Sequence, residues 1–157
     1  QAVRVQIKER APRALWCDTS CYTMDESGFI YAPLASSTPS VAAMYVFRGA
    51  LAAGIPIGQK FLPEHFSSVL GFLEELQKAD FLPESVAFEN EQDFSVTLGK
   101  GFAVRASVGN DFTKAVRDLE LVLSDTLRGR EDELEYIDVR FGNRIYYKFR
   151  GEEAHIQ

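Results

Sequence analysis

The segment from Leu134 to Arg150, Leu-Glu-Tyr-Ile-Asp-Val-Arg-Phe-Gly-Asn-Arg-Ile-Tyr-Tyr-Lys-Phe-Arg, restricts the fold more than any other part of the chain. It is rich in aromatic and β-branched residues, which suit a pleated and half-buried surface. Ile137, Val139, Phe141, Ile145, Tyr147 and Phe149 fall on one face; Tyr136, Asp138, Arg140, Arg144, Tyr146 and Lys148 fall on the other. This is the pattern of an antiparallel strand with one apolar side and one wet side. Gly142-Asn143 interrupts it, either as a two-residue hairpin turn with positive φ at both positions or as a bulge within one strand. Because the alternation keeps its phase across Gly142, one long kinked strand is the favoured reading. A terminal strand at a sheet edge offers unpaired N–H and C=O groups to another chain. Periodicity alone still favours an ordinary closing hairpin over a docking edge.

A chain of 157 residues holds one well-cored domain, or one domain with a fragment of another. A composition of 46% hydrophobic and 25% charged residues is that of a globular protein. The net charge of −6 argues against broad nucleic-acid binding. No run approaches the roughly 20 apolar residues of a membrane span, and no signal peptide is visible. The sequence opens inside a strand-like alternation, Val3, Val5 and Ile7, so a portion of something longer is expected.

That first strand, Val3 to Lys8, ends at Pro12, where a missing donor suits a strand break. Tyr22-Thr-Met24 and Phe29-Ile-Tyr31 flank Asp25-Glu-Ser-Gly28 and read as a hairpin. Pro33 to Pro39 is a small-residue loop, Tyr45-Val-Phe47 a short strand, and Gly49 to Gly58 a loop. A helix follows, with Pro63 in its first turn and Phe66, Val69, Leu70, Leu73 and Leu76 as its stripe. After Pro83 the period returns to two in three segments centred on Val86, Val96 and Val104, a meander. Asn110 or Asp111 caps a second helix with Phe112, Ala115, Val116, Leu119, Val122 and Leu123 inward. The order predicts an α+β domain, a mainly antiparallel sheet with two helices packed on one face and a C-terminal edge strand.

Little of this points to chemistry. His65 and His155 are the two histidines and lack partners at metal-ligand spacing. The acidic clusters Glu74-Glu75, Glu89-Asn-Glu91 and Glu131-Asp-Glu133 read as solvated charge. Gly99-Lys-Gly101 lacks the rest of a phosphate-binding loop. No catalytic, cofactor-binding or metal residues are expected. Cys17 and Cys21 are not a Cys-x-x-Cys motif; their spacing leaves open both idle reduced thiols and, outside the cytoplasm, a disulfide.

Val5-Gln-Ile-Lys-Glu-Arg-Ala-Pro-Arg-Ala-Leu-Trp16 and Tyr22-Thr-Met-Asp-Glu-Ser-Gly-Phe-Ile30 resemble the Glu-Arg-x-Pro-x-Ala segment and the following hairpin of the FtsQ/DivIB bacterial cell-division proteins. Val104-Arg-Ala-Ser-Val-Gly109 with Leu119 to Leu123 is similar to the family's strand–Gly–helix segment, and Tyr136-Ile-Asp-Val-Arg-Phe141 to its closing strand. The motifs cover nearly the whole chain in the family's order.

The resemblance implies a non-enzymatic division scaffold, anchored by one membrane span absent from this sequence, with a POTRA domain and then a β domain outside the cytoplasm at the septum. Residues 1–12 would be the last POTRA strand or the junction from it, 13–150 the β domain, and 151–157 a tail. Family members recruit FtsB/DivIC and, with it, FtsL by strand addition at the C-terminal edge. By position this implies partner contacts at Val122, Tyr136, Phe141, Asn143, Arg144, Ile145, Tyr146, Tyr147 and Phe149. Asn143 and Arg144 depart from the small residues some members carry there. The alternative reading is a POTRA-associated adaptor or chaperone of envelope protein assembly or secretion, also working by edge-strand addition.

Overall fold

The computed structural model describes residues 2–7, 9–35 and 44–156. Its strands are β1 (Ala14–Cys17), β2 (Cys21–Met24), β3 (Ile30–Pro33), β4 (Tyr45–Arg48), β5 (Pro83–Phe88), β6 (Asp93–Leu98), β7 (Ala103–Ser107), β8 (Leu134–Phe141), β9 (Arg144–Phe149) and β10 (His155–Ile156). Helix α1 (Phe66–Lys78) joins β4 to β5, and α2 (Phe112–Asp125) joins β7 to β8. Among the described residues the strands form one sheet, ordered β10-β9-β8-β7-β6-β5-β4-β1-β2-β3. The β1–β4, β4–β5 and β7–β8 pairs are parallel and the rest antiparallel. Both helices thus serve as crossovers between parallel strands, the connection such pairs require.

One row of paired residues crosses the whole sheet: Pro33, Tyr22, Trp16, Phe47, Val86, Val96, Val104, Ile137, Tyr147 and His155. From Trp16 to Ile137 every member is buried, because this is the face the helices cover. Phe72 of α1 and Phe112 of α2 stack on each other with centroids 4.5 Å apart, and both rings touch Phe94 of β6. The expected α+β fold with both helices on one face is therefore the observed one.

Several expectations are corrected. Residues 2–7 form no strand, and Val3, Val5 and Ile7 lie exposed. Their alternation has no neighbouring strand to pair with among the described residues, although Arg10 just beyond is tied down. Its guanidinium lies 4.2 Å from the Phe29 ring centroid and ion-pairs with Asp25. Helix α1 begins at Phe66 with His65 as its cap, so Pro63 precedes the helix. There Leu62 adopts φ +49, and its carbonyl accepts from the Phe66 amide at 2.8 Å. The loop expected from Pro33 to Pro39 reaches beyond the described residues after position 35. Cys17 and Cys21 face each other across β1 and β2 and are joined by a disulfide that closes this hairpin.

The largest correction concerns the terminal segment. It is two strands joined at Gly142-Asn143, with Phe141 paired to Arg144. Of the two turn residues only Gly142 has positive φ (+65), the signature of a turn with glycine at its first central position. The register also slips between Asp138 and Phe141, a β-bulge. One inserted residue reverses the side on which the next side chain emerges. Phe141, counted on the inner face from alternation, accordingly lies on the outer face against Tyr146, 5.1 Å between centroids, and is 55% exposed.

Candidate partner-docking edge

The β8–β9 hairpin is held at both ends. At its tip, α2 starts with Asp111 as N-cap, its carboxylate accepting from the Lys114 amide at 3.0 Å. The neighbouring Asn110 side chain donates to the Arg140 carbonyl at 3.3 Å, and Lys114 Nζ donates to the Gly142 carbonyl at 3.1 Å. Lys114 also pairs with Asp118 one turn along. At the other end the Arg150 amide donates to the Glu133 carbonyl at 2.9 Å. Its guanidinium donates to the Asp132 carbonyl at 2.8 Å. Arg130, paired with Glu133, lies 3.8 Å from the Phe149 ring centroid.

The outer face between these clamps carries a charged network. Asp138, expected on a solvated face, is only 4% exposed. It is flanked in register by Arg105 and Tyr146 and accepts from the Arg140 guanidinium at 2.7 to 3.2 Å. Arg140 reaches Asp93 on β6 as well, at 3.1 Å. Hydrogen bonding to Asp138, the leading influence, raises the Arg140 pKa. Arg105 covers the half-buried Tyr136 at 3.8 Å, and Lys148 pairs with Glu135 at 2.7 Å.

The residues expected to contact a partner fall into three groups. Phe141, Asn143 and Arg144 are exposed at the turn, and Tyr146 is half-buried beside Phe141. Tyr147 is half-buried on the opposite face, in edge contact with Phe149, and Tyr136 lies one strand further in. Val122, Ile145 and Phe149 belong to the core at 8%, 8% and 4% exposure. Val122 sits on the inward stripe of α2, within the core cluster.

Residues 144–149 are not the outermost strand. The chain turns at Arg150-Gly151, and β10 pairs with β9 through His155–Tyr147 and Ile156–Tyr146, covering two of the six β9 positions. The sheet does end in a C-terminal edge strand, but that strand is β10. Sequence reasoning missed it because two residues carry no period; Gly151 after a strand and the isolated apolar Ile156 were the available signals. The positions of Asn110, Lys114 and Arg140 as clamps were equally invisible to spacing.

Among the described residues no helix is long and apolar enough to cross a membrane. Nor does any group of three or more His, Cys, Asp or Glu side chains there form a metal site. No protein-family model matches this chain, and no curated protein matches it.

Proposed function

We propose that this chain is the extracytoplasmic β domain of an FtsQ/DivIB-type scaffold of the bacterial division machinery, without enzymatic activity. It recruits FtsB/DivIC-type and FtsL-type partners by strand addition at its C-terminal sheet edge. The observation that carries the reading is the β8–β9 hairpin, fixed at both ends, with Phe141 exposed and β10 covering two of the six β9 positions. Aromatic anchors beside a ladder that is only partly paired are what a strand-adding partner requires. The ordered motifs from Glu9-Arg10 to Tyr136–Phe141 support the same reading.

The test is titration of the purified domain with the extracytoplasmic segment of the FtsB/DivIC-type protein of the same genome. Binding should weaken about tenfold in Phe141→Ala and in Tyr146→Ala, the loss typical of an interface anchor. Proline at Ile145, Tyr146 or Tyr147 should abolish binding at whichever position turns its amide outward, because ladder donors alternate between neighbours. Circular dichroism and melting controls establish that each variant is folded. Undiminished binding in all of these folded variants, or no binding by the parent chain, would overturn the reading.

A further inference from the structure

We propose that the tail strand β10 is a resident occupant of the β9 edge, which an incoming strand must displace; this rests on the reading of that edge as the docking site. The tail is seated in the manner of a partner. It runs antiparallel to β9, with His155 opposite Tyr147 and Ile156 opposite Tyr146. The His155 ring stacks on Tyr147 with centroids 5.5 Å apart and approaches Phe149 at 6.2 Å. The tail is complementary to the edge in backbone and ring.

It is also weakly held. Arg150 to Ile156 are all exposed, and Ile156 keeps 62% of its surface. Two ladder positions contrast with the five paired positions that join β9 to β8. Segments with few buried contacts and exposed ladder bonds open at the low end of the stability range. An incoming strand that pairs along all of β9 would form more ladder than the tail does. It fits best as an antiparallel segment with a planar ring opposite Tyr147 and a branched aliphatic side chain opposite Tyr146. While the tail is closed, apparent affinity falls in proportion to the fraction of open molecules.

The experiment uses the full chain and the variant H155P/I156P, which lacks the two tail amides and the ladder, with the same FtsB/DivIC-type segment as probe. Hydrogen exchange first reports the tail: whichever of the Tyr146 and Tyr147 amides faces β10 should exchange faster in the variant. Affinity for the probe should then rise at least fivefold, and a chain ending at Gly151 should show the same gain. Equal amide protection in parent and variant, or equal affinity with faster exchange, would overturn the proposal while leaving the docking reading intact. Probe binding by neither protein would overturn the docking reading and this proposal with it.

Discussion

Asp138 is covered by Arg140, two residues further along the same strand, which donates to it from both its amide and its guanidinium. A buried carboxylate held this way is costly to orphan, more so than the pair is valuable as a whole. Asp138→Ala should therefore destabilise the domain by about 1–3 kcal/mol, since Arg140 keeps Asp93 and partial exposure. Arg140→Ala should cost more, about 3–5 kcal/mol, because it leaves a buried negative charge unpaired. Denaturant melts of the two single variants give the ranking and the double variant gives the coupling; an Asp138→Ala loss equal to or above that of Arg140→Ala would refute it.

Gly28 and Gly142 both have positive φ but occupy different surroundings. A Cβ at Gly142 meets nothing within 4 Å, so Gly142→Ala should cost only the left-handed backbone penalty of about 1–2 kcal/mol. At Gly28 it would lie 2.6 Å from the Phe61 carbonyl oxygen and 2.8 Å from Phe66 Cγ, at the point where the β2–β3 turn meets α1. Gly28→Ala should exceed its counterpart by about 2 kcal/mol or more, the scale of overpacking a core. Comparable melting temperatures for the two would contradict the contrast.

These two turns also show where sequence reading succeeds. The Asp25-Glu-Ser-Gly28 turn was legible because the Asx side chain and the glycine act locally: Asp25 Oδ1 accepts from the Ser27 and Phe29 amides at 2.9 and 3.1 Å. The helix stripes and the meander were legible for the same reason, as each is a local period. Phe141 and Asp138 were misassigned because a bulge and a covering arginine depend on pairing register, which a period of two does not encode. Val3, Val5 and Ile7 show the converse, an alternation that joins no sheet among the described residues. Only the long-range clamps from Asn110 and Lys114 explain why the hairpin tip is held.

Asp25 provides a pH signature. Burial pushes its carboxyl pKa up, but hydrogen bonds from Ser27, Phe29 and Arg10 outweigh this and bring it below 3.8. A lowered folded-state pKa contributes stability that is complete above the unfolded value and is lost as pH falls through the folded one. The stability gap between the parent and Asp25→Asn should be constant near neutrality and shrink below about pH 3.8. Melting temperatures of both proteins across that range test it; a gap that widens on acidification would reverse the assignment.

The Cys17–Cys21 disulfide closes a short loop, so its entropic contribution is small, at most about 2 kcal/mol. The double serine variant should fold and melt a few degrees lower. In protein purified without reductant, thiol labelling should find neither cysteine; two reactive thiols would exclude the bridge.

Strand β4 has parallel neighbours on both sides, β1 and β5. Hairpins such as β5–β6 and β8–β9 close through short turns, whereas β4 must wait for distant segments to arrive, and loop-closure entropy delays such pairings. We therefore expect β4 to be the last strand seated during folding. Pulse-labelled refolding should show Val46 and Phe47 gaining protection after Val96, and simultaneous protection would remove the idea. Until that moment β1 and β5 present raw inner edges, so a freshly synthesised chain is most exposed to misassembly at its centre rather than at its rim.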